Sequence, residues 1–223
     1  SFLGIGVPSC YNWIYHTPEL RTAWGNATLG LPYHSADDTM DTLDKNVMYY
    51  GVRDDAAFVF DLAMRKTLPQ DFTVMAAEIS KRISEMKEYI QDMPEAQEGL
   101  DLDSALAMSR TFEEKAAAVE KIRLAQEASG ERNDRLNYLL MRIFRVVMPM
   151  LTTVTGRFEQ DRYGLTGLKY IIPNSVSVLE LSKHAEGTHE FYLWLNRARK
   201  ERNKITDAVD MAIDICDLIL SGR

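Results

Sequence analysis

Histidine and cysteine are both scarce in this chain, whose 223 residues carry four of the first and two of the second. The cysteines, Cys10 and Cys216, stand near opposite ends, so there is no disulfide framework and the redox compartment stays open. Each reads as a small buried hydrophobe, Cys216 on the apolar stripe of a helix and Cys10 at the end of a strand-like run. A P-loop, a dinucleotide-binding glycine motif and a Ser-His-Asp set are all missing. No apolar run is as long as a membrane span, and the first residues lack the basic start and apolar core of a signal peptide. Because Ser1 opens in the middle of a pattern, that lack describes this stretch of chain and not a whole gene product. Basic charge is short as well: a net charge of −7 argues against non-specific nucleic-acid binding, which needs basic surface to displace phosphate counterions. No internal repeat and no low-complexity segment stands out.

What is present is ordinary globular material, 46% hydrophobic and 26% charged, long enough for one large domain or one and a half. Residues 1–15 read as a buried strand, with Leu3, Ile5, Val7, Cys10, Trp13 and Ile14 apolar. A loop is expected over 17–32. From Asp44 the pattern turns helical almost to the end. A helix over 45–67 places Val47, Met48, Val52, Phe58, Leu62 and Ala63 mostly at three- and four-residue steps and stops before Pro69. Another starts at Asp71, with Val74, Ala77, Ile79, Ile83, Met86 and Ile90 as its apolar side; Pro94 and Gly99 then bracket a break. Asp101 and its neighbours to Ser104 cap a long helix that runs through Ala105, Met108, Phe112, Ala116, Val119, Ile122 and Leu124 and ends at Gly130. The next, 133–155, is apolar nearly all round between 136 and 151, which asks for burial on several sides, and Pro149 should kink its last turns. Irregular structure follows over 155–177. The last helix, 188–220, carries a stripe of Ile205, Val209, Ala212, Ile213, Cys216, Ile219 and Leu220.

Chemistry concentrates in residues 32–45, where His34 stands directly ahead of Asp37, Asp38 and Asp41 at a helix start. Neutral imidazole is the commonest protein ligand for zinc, and its second ring nitrogen needs an acceptor such as a carboxylate. Zinc wants three or four protein ligands, and nothing else in the chain supplies an obvious set. The competing reading is that Asp38 and Thr39 merely cap a helix. His16 lacks the acidic tail that follows His34 and reads as a loop or capping residue. His184 and His189 have a spacing that could serve a metal, but Gly187 interrupts the helix that would align them, so an exposed interhelical turn is expected. The basic run Arg197, Arg199, Lys200, Arg202 and Lys204 reads as a solvated helix face, and Met141, Met148 and Met150 as core or interface filler.

The run Tyr33, His34, Ser35, Asp38, Thr39, Asp41, Asp44 and Lys45 resembles the last zinc-ligand segment of the M28 family of zinc peptidases. Its pattern there is an aromatic, the ligand histidine, a hydroxyl residue, then Asp-Thr and an acidic tail. Ser1, Phe2, Gly6, Val7 and Pro8 are similar to the strand that precedes it. Phe58 to Ala63, followed by Leu68, Pro69, Asp71 and Phe72, looks like the junction into the helical dimerisation domain of transferrin-receptor and glutamate-carboxypeptidase relatives; so do Arg157, Phe158, Asp161 and Tyr170 to Pro173. A glutarate-reading Lys-Tyr pair has no counterpart among residues 174–178, so specificity for a C-terminal glutamate does not carry over.

The resemblance implies a mainly α chain: a helical bundle over 68–223, preceded over 1–67 by the C-terminal edge of an α/β peptidase domain. It makes His34 one ligand of a two-zinc centre, puts Tyr33 on the substrate side, and leaves Asp37, Asp38 or Asp41 to orient the imidazole. The other ligands and the catalytic base are expected upstream of Ser1, so this stretch alone should hold no zinc and hydrolyse no peptide. A homodimer is expected through the helical domain, because the stripe on the last helix and the all-round apolar helix before it need partners. The resemblance favours action outside the cytoplasm on a peptide substrate. The alternative is a catalytically dead, receptor-like relative in which the chain is a dimerisation and interaction module.

Overall fold

The computed structural model describes residue 6 and residues 16–25, 35–153 and 172–222, and among these it contains helices and turns but no strand. The described part is mainly helical, as the periodicity predicts. The strand expected over 1–15 lies, apart from Gly6, outside the described residues. The chain divides near residue 65 into two compact units, one holding residues 10–65 and the other residues 66–223 with the first nine.

In the smaller unit, the loop expected over 17–32 contains a short helix, α1 (Pro18–Ala23). Thr17 caps it, its hydroxyl accepting from the Leu20 amide at 3.3 Å, and Pro18 sits at the first turn, where a missing N–H costs nothing. A 3₁₀ turn, Met40–Thr42, leads into α2 (Lys45–Met64). Asp44 Oδ1 starts α2 by accepting from the amides of Asn46 (2.8 Å) and Val47 (3.3 Å). No residue of α2 is buried.

The larger unit begins where α2 ends, three residues before the expected position. The reason is a competing partner: the Asn137 side chain donates to the Lys66 carbonyl at 2.7 Å and accepts from the Leu68 amide at 2.9 Å. Six helices follow. α3 (Thr73–Tyr89) starts on Asp71, which accepts from both the amide and the hydroxyl of Thr73. Its buried side is Ala76, Ile79, Ile83 and Met86; Val74 and Ala77 face outward, contrary to the expectation. The break expected between Pro94 and Gly99 is a helix, α4 (Pro94–Leu100), with Pro94 at its first turn. Gly99 marks close approach: a Cβ there would lie 2.8 Å from the Arg199 guanidinium and 3.0 Å from a Leu195 methyl, and Arg199 Nε donates to the Gly99 carbonyl at 2.7 Å.

α5 (Leu102–Ser129) runs from its Asp101 cap to Gly130, which ends it at φ +66° as a left-handed residue should. α6 (Asp134–Thr152) is capped by Asn133 and continues through Pro149 for one more turn. It is buried nearly all round only over 146–151; earlier it has an outer face with Tyr138 and Met141 exposed. Within the stretch expected to be irregular, a 3₁₀ turn (Pro173–Ser175) runs into α7 (Val176–Leu181), held by buried Val178 and Leu181. α8 (His189–Leu220), capped by Thr188, matches the expected last helix.

α8 is the axle of this unit. α4, α5, α6 and α7 all pack on it, and α3 packs on α5 and α7. Phe191, Leu195, Ala198, Ile205, Val209, Ala212, Ile215, Cys216 and Ile219 point into one continuous core with Phe112, Ala116, Leu140, Ile143 and Val147. Each large apolar side chain so buried is worth about 1.5–3 kcal/mol relative to exposure. The apolar surfaces of α6 and α8 that suggested a dimer are thus consumed mostly inside one chain.

Candidate functional site

Tyr33 and His34 lie outside the described residues; the segment that follows them is described. Ser35 organises it as a tight turn: its hydroxyl accepts from the Asp37 amide at 3.2 Å and its carbonyl from the Asp38 amide, also at 3.2 Å. The chain then closes the 3₁₀ turn, with Thr42 donating both its amide (3.1 Å) and its hydroxyl (2.7 Å) to the Thr39 carbonyl. Backbone and hydroxyl groups satisfy this turn without using a carboxylate.

That settles which acidic residue does what locally. The helix-capping role weighed for Asp38 and Thr39 belongs instead to Asp44; Thr39 precedes the 3₁₀ turn and makes no side-chain cap bond. Asp37, Asp38 and Asp41 are exposed and free of capping duty. An exposed carboxylate is the kind of group that accepts a hydrogen bond from the outer N–H of a metal-bound histidine. Among the described residues alone, no three His, Cys, Asp or Glu side chains gather as a metal site.

The remaining candidates have ordinary surroundings. His16 precedes α1 and sets its ring edge-on to Trp24, centroids 4.8 Å apart. His184 lies in the turn between α7 and α8, stacked on Trp194 at 6.4 Å, with Arg197 over the same indole at 5.0 Å, while His189 opens α8 as an exposed first residue. Gly187 turns the chain between them at φ +80°. Met150 is buried and Met148 partly so, whereas Met141 is exposed on α6. Arg197, Arg199 and Lys200 are exposed, as a solvated face requires, but Arg202 and Lys204 are half-buried, and Lys204 pairs with Glu201 at 3.2 Å. Cys216 is fully buried, and that burial, followed by the neighbouring Asp217, pushes its thiol up to about 12, so it holds no thiolate at neutral pH. Cys10 lies outside the described residues.

Two buried arginines escaped the sequence reading. Arg82 of α3 donates to Ser175 Oγ at 2.7 Å and to Tyr89 Oη at 3.1 Å, tying the 3₁₀ turn before α7 to α3. Arg123 of α5 makes a two-pronged pair with Glu120, both bonds 2.7 Å, and reaches Glu127 at 2.9 Å. The hydrogen bonds to Glu120 hold its guanidinium above the ordinary range against the opposing pull of burial. The i, i+3 and i, i+4 spacings of Glu120, Arg123 and Glu127 were visible in the sequence; that the arginine is buried was not. A surface pocket of about 340 Å³, lined by Lys87, Glu88, Ile90, Gln91, Gln97, Leu102 and Asp103, lies where α3, α4 and α5 meet. Its lining includes the Lys87–Asp103 ion pair and holds no serine, cysteine or histidine. None of the protein-family models, curated proteins or solved structures compared with the chain matches it.

Proposed function

We propose that the chain is the C-terminal part of a two-zinc peptidase of the M28 type, contributing one zinc ligand, His34, and a helical homodimerisation domain. The observation that carries this reading is the division of labour after His34. Asp44 alone starts α2, so Asp37, Asp38 and Asp41 remain available to the imidazole, as the motif requires. α2 gives further support. Val47, Met48, Tyr49, Tyr50, Val52, Phe58, Val59, Phe60, Leu62 and Met64 are all exposed and ring the helix, the composition of a helix that belongs inside a larger domain. In this reading such a domain brings the other ligands and the general base.

The chemistry that two zinc ions supply when bound is polarisation of a scissile carbonyl and activation of a water at neutral pH. This chain's share is to hold and orient. His34 presents one imidazole nitrogen, and one carboxylate among Asp37, Asp38 and Asp41 fixes its tautomer and direction by accepting from the other. Tyr33 lines the substrate side, and the substrate is a peptide cut in an amino- or carboxypeptidase manner. Alone, the chain hydrolyses nothing.

The test is zinc content by elemental analysis, together with peptidase activity, of the complete protein and its His34→Ala variant. About two zincs and activity, with most of the activity lost in the variant, are the expected results. A fully active variant refutes the assignment of His34. A zinc-free complete protein, after zinc has been offered back, selects the second reading: a receptor-like interaction module. The exposed apolar helix α2 serves that reading equally well, since it offers a contact surface whatever the chemistry.

A further inference from the structure

We propose that two copies of this chain associate through the outward face of α8, antiparallel across a two-fold axis that crosses the helix at position 205. This deepens the dimerisation part of the proposed function and rests on it, with the contact moved from the apolar surfaces that the fold consumes to one that it leaves free.

The outward face reads Tyr192, Asn196, Lys200, Asn203, Asp207, Asp210, Asp214, Leu218, and all eight side chains are exposed. The steps between them are four, four, three, four, three, four and four residues, the same in either direction. At 100° per residue such steps keep all eight on one narrow stripe, about 40 Å long at 1.5 Å per residue. The chemistry inverts about the centre of the stripe. Its first half carries hydrogen-bond donors and positive charge; its second half carries three carboxylates.

A two-fold axis at 205 sets Lys200 against Asp210 of the second copy, Asn203 against Asp207, Asn196 against Asp214 and Tyr192 against Leu218, and symmetry makes every pairing twice. Each residue meets a complement: cation and carboxylate, amide and carboxylate, aromatic and aliphatic. Within one chain the Tyr192 hydroxyl is bonded to Glu95, but the charged centre of the stripe is unpaired. Asp207, Asp210 and Asp214 stand three and four apart, where like charges repel, and neither they nor Lys200 joins an ion pair among the described residues. Arg199, beside the stripe, is already held by the Gly99 carbonyl. Tyr192 is 48% exposed and Leu218 41%, which leaves an apolar contact at each end of the polar centre. Charge complementarity between the two halves of one stripe selects a second, antiparallel copy as the occupant.

The experiment is sedimentation equilibrium on the full chain from about 10 to about 200 µM, the range suited to a contact smaller than a standard interface. A dimer is expected that weakens at about 0.5 M salt, where the Debye length shrinks below the reach of these pairs. Lys200→Glu and Asp210→Lys should each raise the dimer Kd at least about tenfold, with far-UV circular dichroism unchanged, because each places like charges opposite one another twice. An equimolar mixture of the two variants should regain the dimer mass, since both pairings then become complementary. A single-chain mass for the natural sequence overturns the proposal, as does a mixture no tighter than either variant. A dimer indifferent to both reversals overturns this surface while leaving dimerisation in place, and zinc content tests the peptidase reading separately.

Discussion

Replacing Asp44 by alanine separates the two kinds of acidic residue that follow His34. Asp44 Oδ1 accepts from two of the first free amides of α2, at 2.8 and 3.3 Å. Removing such a cap costs about 0.5–2 kcal/mol, typically about 1, and because Asp44 is solvent-exposed the middle of that range applies. An opening equilibrium shifted by about 1 kcal/mol speeds amide exchange about fivefold. Hydrogen exchange followed by mass spectrometry should therefore show peptides covering 45–52 losing protection by that factor in Asp44→Ala. Asp44→Asn, which keeps an accepting oxygen, should stay close to the natural sequence. Asp37→Ala, Asp38→Ala and Asp41→Ala should leave exchange in α2 unchanged, whereas on the proposed peptidase reading one of them should weaken zinc binding by about 10–100-fold. An Asp38→Ala variant that loosens α2 as much as Asp44→Ala does would show the motif carboxylates to be structural and not free for an imidazole.

Two further outcomes concern the bundle. Glu120→Ala strands much of a guanidinium whose side chain is only 8% exposed, and it should cost about 2–3 kcal/mol in urea unfolding, below the full penalty for a broken buried pair because Glu127 remains. Arg123→Met combined with Glu120→Leu should recover most of that loss; a double variant as unstable as the sum of its parts would refute the coupling. For Cys216, the folded thiol keeps its proton up to about pH 12 while an unfolded one loses it near 9.0. Stability is therefore unaffected below about pH 9 and falls as pH rises towards 12, by about 1.4 kcal/mol per unit. Between pH 8 and pH 10.5 the natural chain should lose about 2 kcal/mol more than Cys216→Ala, and parallel slopes would show the thiol to be less buried than the structure places it.

Helix ends with local chemistry were the most legible part of the fold. Asp101 and Gly130 act through residues within four positions of themselves, so the sequence around them contains the whole cause. α4 is not legible locally because Pro94 and Gly99 look like breakers, whereas proline is a good first residue of a helix and this glycine answers to Leu195 and Arg199 about 100 positions away. α7 is too short to stand on propensity; buried Val178 and Leu181 hold it, and their partners are distant in sequence. The same reasoning explains Arg82, whose Ser175 partner is 93 positions away. Near His34, the acidic cluster was legible as composition, but which aspartate caps α2 depended on how Ser35 and Thr39 fold the turn between them.

The two units place opposite demands on what surrounds them. In the larger one the helices close on α8 and bury their own stripes, so anything that docks there must read a polar face, and the outward stripe of α8 supplies one with its complement built in. In the smaller one α2 buries none of its 20 residues, although more than a third of them are large and apolar. Hydrophobic burial scales with area removed from water, and α2 has removed almost none, so most of the stabilisation its sequence can deliver is still unspent. A helix in that condition is completed by contact with further structure, whether a larger domain around His34 or a partner protein. The chemistry assigned to His34 and the exposure of α2 are therefore one question: the same cover that would bury Phe58, Phe60 and Leu62 would, on the peptidase reading, bring the remaining ligands to the metal.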